Sequence, residues 1–151
     1  MFFISSSAFS KITFKGYCYL YKYSKQTLDP EVGHTVAVLY KLSGKDSCDE
    51  AFEYLNSLSS LDLSGKDLRS LKPLSGLENL KVLNVSQNDL LDLWGLELVP
   101  ELMVVLAHHN RIRNISSLSL LDNLFKVDLS FNRLEFASPL KEIVGIKFDV
   151  S

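Results

Sequence analysis

The chain has 151 residues, is 46% hydrophobic and carries a formal net charge of −2, which fits one globular domain of ordinary size. No apolar run approaches the roughly 18 residues that a membrane-spanning helix needs. The charge is uneven, +3 over residues 1–30 and −5 over the remainder, and the acidic majority argues against nucleic acid as the main partner.

Residues 1–28 form an aromatic and basic segment. Met1-Phe2-Phe3-Ile4 is apolar, but it lacks a basic leader and is broken at once by Ser5-Ser6-Ser7, so it makes a poor signal peptide. Ile12 and Phe14 alternate with polar residues, and Tyr17, Tyr19, Tyr21 and Tyr23 then recur at every second position. Period two with aromatics predicts strands, with Lys15-Gly16 as a turn. The segment then reads as an edge hairpin or an ill-ordered tail, or else as a tyrosine-rich adhesive face. Two cysteines, Cys18 and Cys48, are too few for a disulfide framework and have no metal-ligand spacing. They read as buried or free thiols in a reduced compartment, and a cytoplasmic location is favoured.

Residues 29–57 predict a helical N-terminal cap. Asp29-Pro30-Glu31 is a helix start: Asp29 caps, Pro30 takes the first helical position, and Glu31 sits at the positive end of the helix dipole. Val32, Val36 and Leu39 follow at helical spacing until Ser43-Gly44. A second helix starts at Ser47, which forms a capping box with Glu50, and it carries an apolar stripe of Cys48, Ala51, Phe52 and Leu55.

From residue 58 to 151 the chain repeats. Leu80, Leu83, Val85, Asn88 and Leu90 set a pattern that recurs as Leu102, Val105, Ala107, Asn110 and Ile112, and again as Leu124, Val127, Leu129, Asn132 and Leu134. A weaker copy, Leu58, Leu61, Leu63 and Leu68, has Lys66 in place of the asparagine. Starts at 58, 80, 102 and 124 give four full copies in one register of 22 residues, and Phe148-Asp149-Val150-Ser151 begins a partial fifth. This is the leucine-rich repeat signature. One turn cannot bury its own apolar face, so neighbouring turns stack, with a short strand from each pairing into a parallel concave sheet. Asn88, Asn110 and Asn132 form a predicted ladder in which each amide meets backbone groups stripped of partners by the bend. Lys66 cannot accept, so the first turn is expected to be irregular. The return segments, such as Leu71, Leu74, Leu77 and Leu80, are spaced by three, which suits 3₁₀ or irregular turns better than an α-helix. Pro139, Leu140 and Ile143 continue that spacing, and the stop inside a fifth strand is expected either because the chain is cut from a longer protein, which is favoured, or because another chain covers the end.

Leu71-Lys72-Pro73-Leu74-Ser75-Gly76-Leu77-Glu78-Asn79-Leu80 is similar to the return segment of bacterial internalins. Residues 58–151 as a whole resemble the 22-residue leucine-rich repeats of internalins and of protein phosphatase 1 regulatory subunits. The resemblance implies an α/β solenoid: a right-handed superhelix with a helical N-terminal cap, binding a protein partner through its concave face.

The register orders the outward positions of the strands into columns. Ser60, Val82, Val104, Lys126 and Lys147 form one; Asp62, Asn84, Leu106, Asp128 and Asp149 the next. Ser64, Ser86, His108, Ser130 and Ser151 follow, and then Gly65, Gln87, His109 and Phe131. The candidate partner-binding set is Val82, Asn84, Val104, Leu106, His108, His109, Lys126, Asp128 and Phe131, an apolar centre with a polar rim. Strand propensity alone accounts for the valines, but not for Leu106, His108 and Phe131. Trp94, where other copies carry Lys72, Ser116 and Ser138, is expected to be partly exposed on the convex side.

Nothing in the chain reads as a catalytic, cofactor or metal site. His108-His109 has no partner at ligand spacing. Ser43-Gly44-Lys45-Asp46 and Ser64-Gly65-Lys66-Asp67 lack the upstream glycine and the hydroxyl residue of a phosphate loop. Asn84-Val85-Ser86 and Asn114-Ile115-Ser116 match the glycosylation sequon, but the repeat already explains both. The sequence therefore points to a non-enzymatic protein-binding module, monomeric or part of a larger assembly. A secreted or surface internalin-like adhesin or effector, and a structural fragment of a longer repeat protein, are the alternatives. Fold alone does not name the partner.

Overall fold

The computed structural model describes residues 12–24, 27–135 and 147–149. Among these residues three helices, α1 (Phe14–Tyr23), α2 (Pro30–Ser43) and α3 (Cys48–Ser57), precede five strands of three residues each. These are β1 (Ser60–Asp62), β2 (Val82–Asn84), β3 (Val104–Leu106), β4 (Lys126–Asp128) and β5 (Lys147–Asp149), all parallel and adjacent in chain order. Ser60 pairs with Val82, Val82 with Val104 and Val104 with Lys126, so each step equals one repeat. The step to β5 is one residue shorter, with Lys126 opposite Lys147.

The strands are short because each turn has little to bury there. In β2 only Leu83 points inward, while Val82 and Asn84 remain half-exposed. Leu61, Leu83, Val105 and Val127 stack in the core, and the return segments close it from the other side. Those segments are 3₁₀ turns over Lys72–Leu74, Leu96–Leu98 and Ser116–Leu120. With three residues per turn, side chains three apart eclipse, so Leu71, Leu74, Leu77 and Leu80 all face the core. The whole is a right-handed leucine-rich repeat solenoid with a parallel concave sheet and 3₁₀ return segments.

Asparagines join successive turns. Asn88 Oδ1 accepts from the N–H groups of Lys66 and Leu68, and its Nδ2 donates to Leu63 O and Val85 O. Asn110 repeats this toward Leu90 N–H, Val85 O and Ala107 O, and Asn132 toward Ile112 N–H, Ala107 O and Leu129 O. The chain bends at the αL residues Gly65, Gln87, His109 and Phe131, each 22 residues after the last. The first turn has a second left-handed residue, Asp67 at φ 55°, that the later turns lack.

The N-terminal segment departs from its sequence reading. Residues 14–23 form helix α1 and not strands. Phe14, Tyr17, Cys18 and Tyr21 recur at helical spacing; Phe14 and Cys18 are buried and both tyrosines pack on the core. Tyr19 and Tyr23 fall on the exposed face. Aromatics on both faces of one helix imitate a period of two. Residues 1–11, including Met1-Phe2-Phe3-Ile4, lie outside the described residues, as do Pro139, Leu140 and Ile143. α1 is tied to the first return segment, where Phe14 N–H donates to Ser75 O at 2.9 Å and the Ser75 hydroxyl donates to Ile12 O.

The helical boundaries at α2 and α3 follow from local chemistry. Asp29 Oδ1 accepts from the N–H groups of Glu31 and Val32, Pro30 opens α2, and Gly44 at φ 62° ends it. Ser47 Oγ accepts from Glu50 N–H and donates to Glu50 Oε2. The cysteine reading needs correction: Cys18 and Cys48 form a disulfide, with Cα atoms 5.7 Å apart and a sequence separation of 30. α1 and α3 pack together, and each presents its cysteine on its buried face, 0% and 2% exposed. Two cysteines in a chain cannot show from spacing alone whether they meet. The pairing removes the reduced-thiol support for a cytoplasmic location, because such bonds persist in oxidising compartments.

Candidate functional site on the concave sheet

The outward residues of β1–β4 lie side by side because the register is unbroken. Asp62, Asn84, Leu106 and Asp128 form one row across four strands, and Ser60, Val82, Val104 and Lys126 form the row beside it. Val82, Val104 and Leu106 are half-buried by their neighbours, and Lys126 is exposed. The centre of the sheet is thus apolar and open, with charge at its ends.

Three of the four central-row side chains also shape their own turns. Asp62 Oδ1 accepts from Ser64 N–H at 2.9 Å, Asn84 Oδ1 from Ser86 N–H at 3.0 Å and Asp128 Oδ1 from Ser130 N–H at 3.0 Å. Asp128 Oδ1 also accepts from the Ser130 hydroxyl at 2.6 Å. The Ser64 hydroxyl and N–H hold the Asp62 carboxyl below the usual carboxylate range, outweighing partial burial, with help from Lys66. At Asp128 burial acts upward, but the Ser130 hydroxyl and N–H together with His108 and Lys126 outweigh it and lower the value. Both aspartates are therefore firmly ionised at neutral pH.

At the C-terminal ends of the strands stand three rings. His108 Nδ1 and His109 Nδ1 are 2.9 Å apart, within hydrogen-bonding reach. The His109 ring stacks on Phe131, with centroids 4.2 Å apart and planes 21° apart. Phe131 is 62% exposed although its backbone is left-handed at φ 56°. That conformation is costly for a bulky side chain, and an exposed ring held in it draws attention to function.

The serine column is not uniformly outward: Ser86 and Ser130 are buried, 1% and 7% exposed, whereas Ser64 and His108 in the same column are half-exposed. The column position alone could not reveal this alternation. Among the described residues no group of three His, Cys, Asp or Glu side chains is arranged to hold a metal ion.

A second concavity lies on the opposite side, where α1 and α2 meet the return segments. It encloses about 590 Å³ and is lined chiefly by Tyr17, Leu20, Leu28, Val32, Trp94 and Leu98. Trp94 is 41% exposed there. Burial and then the charge of Glu97 push the Tyr17 hydroxyl above its ordinary value. The sequence singled out Trp94 but not this cavity, which exists only because residues 14–23 are helical.

Comparison with known proteins agrees with this architecture. An internalin (inlF) from Listeria monocytogenes superposes with a TM-score of 0.61 at 22% identity, over 67% of this chain and 30% of that one. Internalin C2 from the same organism gives 0.54 at 27% identity, over 67% of this chain and 55% of that one. The Drosophila melanogaster SNF/U2A' complex gives 0.52 at 28% identity, over 59% of this chain and 55% of the matched chain. No family model matches the sequence, and no curated protein matches it. The fold is a leucine-rich repeat solenoid similar to those of the internalins, and the chain spans 30–55% of the length of these structures.

Proposed function

We propose that this protein is a non-enzymatic interaction module that binds a protein partner on its concave sheet. The observation that carries the reading is the open apolar centre of Val82, Val104 and Leu106, continued by the exposed, conformationally strained Phe131 on His109. Aromatic and apolar anchors surrounded by a polar rim are what protein interfaces use to hold a partner. Asn84, His108, Lys126 and Asp128 supply that rim. The third structural neighbour is itself a complex, which accords with a repeat of this shape serving assembly. The test compares the wild type with Leu106→Glu/Phe131→Glu as bait in lysate of the source cells. Partners held by wild type and lost from the double variant support the concave face, while equal retention moves the site to the Trp94 cavity.

A second reading, a secreted or surface adhesin or effector, is favoured by one observation, the buried Cys18–Cys48 disulfide. Quenching source cells in acid and alkylating their thiols under denaturing conditions distinguishes the two. Cysteines that escape the label in the unfolded chain support an oxidising compartment; full labelling argues for a reduced one.

A further inference from the structure

The central row of the sheet has a charge pattern that specifies more than an apolar contact. Asp62 and Asp128 flank Asn84 and Leu106 in it, and Asp149 of β5 continues the row beyond Asp128. Asp62 and Asp128 are three strand spacings apart, about 14 Å. Neither forms an ion pair among the described residues. Asp62 is exposed, Asp128 half-exposed, and Asp128 directs both hydrogen bonds from Ser130 to the single oxygen Oδ1. Its other oxygen is left for a partner. Between the two carboxylates the surface is formed by Leu106 with Val82 and Val104 of the adjoining row.

Resting on the concave-face reading above, we propose that the occupant is an extended segment of a partner protein bearing two basic side chains four residues apart, with an apolar side chain midway. In an extended strand, side chains at i, i+2 and i+4 share one face, and i to i+4 covers about 13 Å. A segment crossing the strands thus sets its basic groups over Asp62 and Asp128 and its apolar group over the gap between Asn84 and Leu106. Arginine suits both ends better than lysine, because its planar fork matches a carboxylate. At the Asp128 end the ring of Phe131, three residues further on, offers a flat surface on which a guanidinium can stack. Lys126 lies at the other end of β4 from Phe131, in the adjoining row, and disfavours a basic residue on that side.

The proposal is tested with three fluorescein-labelled peptides that share a Gly-Ser frame and differ in their cores: Arg-Ala-Leu-Ala-Arg, Glu-Ala-Leu-Ala-Glu and Ala-Ala-Leu-Ala-Ala. Anisotropy titrations use the full chain, its Leu106→Lys variant and Asp62→Asn/Asp128→Asn. The double Asn variant keeps the Oδ1 acceptor that each turn needs, as Asn84 shows at the equivalent position, and circular dichroism confirms its fold. The arginine peptide is expected to bind at least tenfold tighter than the other two, and the double Asn variant to lose at least tenfold of that affinity. Equal binding of all three peptides, with loss in Leu106→Lys, overturns the basic partner and leaves the concave site standing. Arginine-peptide binding that survives Leu106→Lys overturns the concave site itself. Absence of binding by the arginine peptide overturns the proposed occupant.

Discussion

His109 and Phe131 stack face to face with centroids 4.2 Å apart, and both hold left-handed backbone conformations, at φ 54° and 56°. They occupy equivalent places in consecutive turns, so the bend that ends each strand fixes the backbone and the rings are brought together by stacking of the turns. Gly65 fills the same place in the first turn without any steric penalty. Phe131→Gly should therefore leave thermal stability within about 1 kcal/mol of wild type, the strain relieved offsetting the stacking lost. Binding by the concave face should fall sharply. A melting temperature lowered by many degrees would show that the ring serves the fold rather than a partner.

Asn110 holds two turns at once. Its removal orphans the Leu90 N–H and takes one of two asparagine donors each from Val85 O, which keeps Asn88, and Ala107 O, which keeps Asn132, where Asn110 is 7% exposed. Asn110→Ala should destabilise the protein by about 1–3 kcal/mol, the cost of one buried polar group left without a partner. Asn110→Asp restores the acceptor but not the donors, and should recover only part of the loss. Urea denaturation of both variants measures this. An unchanged midpoint for Asn110→Ala would remove the asparagine ladder from the account of stability.

Most of the solenoid was legible because its chemistry repeats. A 22-residue register states where Leu83 and Val105 must face, and the spacing of three in the return segments selects 3₁₀ turns. The N-terminal region has no second copy to check against. With Tyr19 and Tyr23 exposed and Tyr17 and Tyr21 packed, one helix displays aromatics on both faces and its period becomes ambiguous. Cys18 and Cys48 meet only because α1 lies against α3, a relation between elements that no local pattern encodes. The concave row was readable as a list of residues. Its division into apolar centre and ionised ends needed the hydrogen bonds from Ser64 and Ser130.

The disulfide should contribute strongly to the cap. It closes a loop with a sequence separation of 30, for which the chain-entropy account gives about 3–4 kcal/mol. Cys18→Ala/Cys48→Ala should lower stability by an amount of that order, and α1 should become the first site of trypsin cleavage, at Lys15 or Lys22. The reduced wild type should behave alike. Resistance of α1 to trypsin in both would mean that Phe14 and the Ser75 contacts suffice to hold it.

Acid should loosen the concave sheet before it disrupts the core. The folded-state pKa values of Asp62 and Asp128 lie below their ordinary values, so folding is favoured by their ionised forms. That contribution is present in full above the unfolded value of about 3.9 and is lost as pH falls below it through the folded values. Between about pH 4 and pH 2 the wild type should lose stability faster than Asp62→Asn/Asp128→Asn, whose amides accept the same turn hydrogen bonds at every pH. At pH 7 the two proteins should differ little, because both side chains remain largely solvated and their ionic interactions are screened. Chemical denaturation at pH 7, 4, 3 and 2 supplies the comparison. Parallel acid profiles for the two proteins would mean that other carboxylates govern acid unfolding, and that the Ser64 and Ser130 hydrogen bonds add nothing that depends on charge.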